Sequence, residues 1–190
     1  MLDKAAVYEL LALAEKNVMQ SEVGELLETC IVQQSASRFE TYIQAKVMQH
    51  DAPVDFLQDL AESVHQHMVA LQESLFELRA ATLQSLSDRH QVDLVSLAPA
   101  DLIEDYDRLE LDEALAFVAT QYPDLALTDM VSICHILHNS VRRAGEITQS
   151  IRLVRQILEY VFDWTEALSV NAIQNYWHLA QKPSPHNLIH

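Results

Sequence analysis

Between Thr128 and Gln181 the chain runs 54 residues without a proline, and Gly145 is the only glycine in that stretch. Alternate steps of three and four from Met130 land on Ile133, Leu137, Ser140, Ala144, Ile147, Ile151, Val154, Leu158, Val161, Thr165, Leu168 and Ala172. Only Ser140 and Thr165 break the apolar series, whose repeat of about 3.5 residues belongs to a helix packed lengthwise against other helices. Unbroken, such a helix would extend about 80 Å, well past a compact bundle of this mass. The spacing therefore predicts a bend or break, near Gly145 or around residues 164–171, or else a projecting rod that pairs with a second chain.

Two glycines and five prolines in 190 residues leave little material for tight hairpins, which need glycine at positive φ. Apolar residues make up 49% of the chain, enough for a folded core. Together these features predict an all-α protein: an elongated, mainly antiparallel bundle of roughly four to six helices with a long C-terminal helix. Residues 1–182 read as one domain. Residues 183–190, with Pro183 and Pro185, read as a flexible tail.

Ahead of the long helix the pattern predicts several others. Residues 2–19 form an amphipathic helix with Ala6, Leu10 and Leu13 along one side, joined by Asn17 and Val18. Ser21 and Gly24 offer a break, with Ser21 placed to cap a new helix. Residues 23–48 continue through Leu27, Ile31, Phe39, Tyr42, Ile43 and Val47, with the polar segment 33–37 as a weak point. Pro53 suits the first helical position, where its missing N–H costs nothing. The row from it runs Leu57, Leu60, Val64, Met68, Leu71, Leu75, Leu78, Thr82 and Leu86, ending near Ser87. Pro99 starts another helix, carrying Leu102, Ile103, Tyr106, Leu109, Leu115, Phe117 and Val118 and stopping before Pro123; Thr128 is placed to cap the last one.

The formal charge is −16, from 28 acids against 12 bases. That field opposes phosphate backbones and anionic lipid surfaces, so neither nucleic acid nor a membrane is an expected partner. No apolar run is long enough for a membrane span, and the charged N-terminal stretch is no signal peptide. Cys30 and Cys134 lack CxxC spacing and read as buried thiols of a reducing, cytoplasmic compartment, with a single disulfide between them as the alternative.

Candidate chemistry is sparse, and no cofactor is expected. Glu62-x-x-His65 matches one half of the ligand set of dinuclear helical bundles, which require a second such pair and two more carboxylates. His135 and His138 span one helical turn beside Cys134 and face away from the seam. These four residues, Glu62, His65, His135 and His138, are the only metal-ligand candidates, and no further acid stands near the histidine pair. Phosphate-binding glycine loops and nucleophile elbows are absent from the sequence.

Charge and aromatic distribution is more informative. Residues 101–113 hold seven acids against Arg108 alone, whereas Arg142, Arg143, Arg152 and Arg155 lie close together on the long helix. The acidic helix could lie along these arginines within one chain, or the arginines could hold an acidic segment of another protein. Tyr160, Phe162, Trp164, Tyr176 and Trp177 come after them, more aromatic surface than one helix side can hide. The run Asn139 to Ile147, with Gln149 and Leu153 after it, resembles the C-terminal helix of FlgN-type flagellar export chaperones. That resemblance implies binding of amphipathic segments from export substrates. The expected function is thus a non-catalytic acidic interaction module (adaptor, assembly factor or secretion-type chaperone) that binds a partner helix, an acidic or amphipathic segment, or a second copy. Its expected contact residues are Arg142, Arg143, Arg152, Arg155, Tyr160, Trp164 and Trp177. The alternative is a metal-dependent bundle, or one that holds an apolar ligand among its C-terminal aromatics.

Overall fold

The computed structural model describes residues 4–90, 116, 118–120 and 122–180. The protein is all-α. Its helices are α1 (Lys4–Gln33), α2 (Ser37–Gln49), α3 (Pro53–His90) and α4 (Leu127–Ala180). Residues 118–120 belong to a further helical stretch that closes at Tyr122, whose N–H donates to the Val118 carbonyl at 2.9 Å. The acidic run 101–113 and the tail 183–190 lie outside the described residues.

The boundaries reflect local chemistry, with two corrections to the sequence expectation. Ser21 and Gly24 do not interrupt α1, which is one helix of 30 residues. One interior glycine costs about 1 kcal/mol relative to alanine, too little to stop a helix that continues on both sides. The break comes instead at the polar weak point, where Gln34 adopts a left-handed φ of 51°. Its N–H donates to the Ile31 carbonyl at 3.1 Å and the Ser35 N–H to the Cys30 carbonyl at 3.0 Å. Those two bonds satisfy carbonyls that the helix end leaves open. Pro53 opens α3 as its ring geometry favours.

The second correction concerns Thr128. The N–H groups of Asp129 and Met130 both donate to the Ala126 carbonyl, at 3.0 and 3.1 Å. The turn after Pro123, closed by Leu125 N–H to the Tyr122 carbonyl at 3.2 Å, starts the helix earlier than a threonine cap would. Thr128 therefore sits inside the first turn. Neither Gly145 nor residues 164–171 break α4, which is continuous over 54 residues. A Cβ added at Gly145 would meet nothing within 4 Å, so no close approach requires glycine there.

The seam on α4 is buried as its period requires. Met130, Ile133, Leu137, Ser140, Ala144, Ile151, Val154, Leu158 and Val161 are all buried; Ile147, Thr165 and Leu168 are half-buried, and the Ala172 side chain lies outside the described residues. By packing, the chain divides into two compact units, Met1–Met68 with Leu153–His190, and Val69–Arg152. In the first, the core takes Val23, Leu27 and Cys30 from α1, Phe39, Ile43 and Val47 from α2, Phe56, Leu57, Leu60 and Val64 from α3, and the seam of α4 from Val154. Within α2 Phe39 lies 6.0 Å from Tyr42, whose ring lies 6.5 Å from Phe56 and so links α2 to α3.

In the second unit Leu86 of α3 packs with Val118 and with Met130, Ile133, Cys134, Leu137 and Val141 of α4. Ser140, the polar member of the seam, is buried with its hydroxyl 2.7 Å from that of Thr82 on α3. Thr82 donates its own proton to the Leu78 carbonyl at 2.7 Å. Ser140 is therefore the donor across the helix pair, and its buried oxygen is satisfied at little cost.

Candidate functional site

The N-terminal half of α1 departs from the pattern of the rest of the first unit. Val23, Leu27 and Cys30 define the side of this helix that meets the core. At about 100° per residue, Val7, Leu10, Leu11 and Val18 fall on roughly the opposite side, with Leu13 on the flank between. All five are open to water: Val7 is 40% exposed, Leu10 56%, Leu11 54%, Leu13 56% and Val18 60%. Of the row predicted from Ala6, Leu10 and Leu13, the two leucines are exposed and Ala6 is half-buried, so its large side chains face water and not the core. In the core-facing sector stands Lys16, whose Nζ donates to Glu62 Oε2 of α3 at 2.9 Å and lies 3.8 Å from Asp59 Oδ1. The hydrogen bond to Glu62 and its charge raise the Lys16 pKa above its ordinary value. A charged tether thus occupies the position where an apolar residue would have turned the helix over.

Beside this outward face lies a groove of about 710 Å³ among α1, α2 and α3. Leu11, Val18 and Met19 line it from α1, Tyr42 from α2 and Phe56 from α3. His50 stacks on Phe56 with ring centres 4.7 Å apart, and Lys46 lies over Tyr42 at 5.5 Å. Burial, reinforced by the Glu22 carboxylate, pushes the Tyr42 hydroxyl up to about 12. Its oxygen is buried without meeting hydrogen-bond geometry to any partner. Four carboxylates rim the groove: Glu15, Glu22, Asp55 and Asp59. Lys46 lies 3.8 Å from Glu22, and Lys16 holds Asp59. Among the described residues, Glu15 and Asp55 have no cation beside them.

The residues singled out in sequence are not brought together as one site. Arg142, Arg143, Arg152 and Arg155 are all exposed, but at about 100° per residue they spread over roughly two-thirds of the circumference of α4. Arg142 is occupied by Glu146 at 3.1 Å, one turn along the same helix. Tyr160 is half-buried and accepts a hydrogen bond from Gln44 Nε2 at 3.2 Å. It lines an open recess of about 220 Å³ whose rim carries Glu40, Glu159 and Asp163, a setting unsuited to an apolar ligand. Trp164 is half-buried and Phe162 is 55% exposed. The Trp177 side chain lies outside the described residues.

The metal candidates fare no better. Glu62 is held by Lys16 and accepts from Gln66 Nε2 at 3.4 Å, while His65 is exposed. His135 and His138 are exposed, whereas Cys134 is buried in the second core. Among the described residues no three His, Cys, Asp or Glu side chains are grouped to hold a metal ion. Nor is any described helix long and apolar enough to cross a membrane. No protein-family model, curated protein or solved structure matches the chain, so the likeness of residues 139–153 to export chaperones rests on that stretch alone.

Proposed function

We propose that this chain is a non-catalytic, acidic helical interaction module, an adaptor, assembly factor or export-type chaperone of the cytoplasm. The observation that carries the reading is the outward apolar face on the first half of α1. Five large aliphatic side chains, each at least 40% exposed, lie on one stretch of one helix. Isolated exposed leucines are ordinary, but a contiguous patch on an otherwise acidic surface favours association. The exposed Arg143, Arg152 and Arg155 supply further charge for contacts along α4.

Affinity capture with the intact chain and with Leu10→Glu/Leu13→Glu tests this reading, with circular dichroism as the check on folding. A protein retained by the wild type and lost from the variant, at unchanged helicity, is the expected result. The same captured set for both forms, from chains that stay monomeric, would overturn it.

A further inference from the structure

We propose that the groove among α1, α2 and α3, together with the adjoining outward face of α1, receives a basic amphipathic helix from a partner protein. This rests on the interaction-module reading above and adds the chemistry of the partner. From Val7 to Val18 the exposed face extends about 16 Å along the helix axis, enough to meet about three turns of a second helix. A helix lying there sets its apolar positions at i, i+3, i+4 and i+7 against Leu11, Val18 and Met19, the apolar side chains that α1 gives to the groove, the usual manner of helix-in-groove recognition. The groove volume of about 710 Å³ accommodates several such side chains.

Charge decides which helix. The two lysines of the rim are committed, Lys16 to Glu62 and Asp59, and Lys46 to Glu22. Glu15 and Asp55 remain to pair with lysines or arginines bordering the partner's apolar face. At longer range the net charge of −16 draws cations towards the groove and repels a second copy carrying the same charge. The same field opposes docking of the α1 face on anionic lipid. A basic partner is the one occupant for which the apolar face and the field act in the same direction.

Two synthetic helical peptides of about 18 residues, long enough to reach past the exposed face, make the test. They share one leucine face; one carries lysine and the other glutamate at the remaining positions. Fluorescence anisotropy with the full chain should show the lysine peptide binding at least tenfold more tightly, with the advantage shrinking at high salt. Glu15→Lys/Asp55→Lys should cut that preference several-fold, leaving only the part that comes from the field of the whole chain. Leu11→Asp/Val18→Asp should abolish binding at unchanged helicity. Equal binding of both peptides, or binding indifferent to all four substitutions, overturns the proposal. Should neither peptide bind while sedimentation reveals a dimer that Leu11→Asp/Val18→Asp dissolves, the occupant is a second copy; the interaction reading then stands and the basic-helix inference falls. If neither peptide binds and these substitutions alter neither self-association nor captured partners, both fall.

Discussion

Each half of α1 carries five large aliphatic side chains, Val7, Leu10, Leu11, Leu13 and Val18 against Val23, Leu26, Leu27, Ile31 and Val32; all of the first set are exposed, and of the second only Val32. From Val23 onward the side carrying Leu27 and Cys30 turns towards the core, and Leu27 is fully buried. Before Met19 the large aliphatics turn towards water, and the helix is tied to α3 by Lys16 instead. Helix formation itself does not distinguish these cases, because backbone hydrogen bonds and propensity are indifferent to which side is apolar. What differs is the free energy each half gains from burial. The inner half is held by its own core, while the outer half keeps its apolar surface available.

The largest expected effect sets the halves against each other. Leu27→Ala should cost about 3 kcal/mol in urea denaturation, whereas Leu10→Ala should stay within about 0.5 kcal/mol. Equal losses would break the comparison. Next comes the end of the inner half, where Gln34 holds a left-handed conformation that an L side chain resists. Gln34→Gly should stabilise the chain by about 1 kcal/mol, seen as a raised Tm. A neutral or lower Tm would mean the side chain compensates for its backbone.

Near the start of the inner half, Gly24 has open space where a Cβ would go. Gly24→Ala should add about 0.5–1 kcal/mol, and a loss would indicate that the outer half needs freedom there. The smallest effect is on pH. Burial lowers the His67 pKa below 6.5, with Glu28 of α1 opposing that shift. The folded state then binds fewer protons than the unfolded state between the depressed value and 6.5. This contribution is complete above that window and is lost as the pH falls through it. His67→Gln should flatten that part of the stability profile in pH-dependent urea titrations.

Periodicity made α4 legible, because a seam repeating over so many turns has one reading as a packed helix. Pro53 and the polar segment 33–37 were legible for the same local reasons that operate in the fold. Thr128 misled because the turn after Pro123 decides where the helix begins. The four arginines looked like a cluster in one dimension, and the helical rotation disperses them. At α1 the apolar row was visible but its direction was not. The signal was available, since residues 7–18 and 23–30 place their large aliphatics on different sides of one helix. Both sides cannot face the same core.

The Ser140–Thr82 pair has a consequence for alignment. Aliphatic surfaces slide past each other with little preference, so an all-leucine seam would tolerate neighbouring settings of the two rods. A shift by one turn would place Ser140 opposite Leu78 or Leu86 and leave its hydroxyl facing hydrocarbon. The two oxygens thus act as an index mark: small in the total energy, they select one lengthwise setting from several that grease alone would accept.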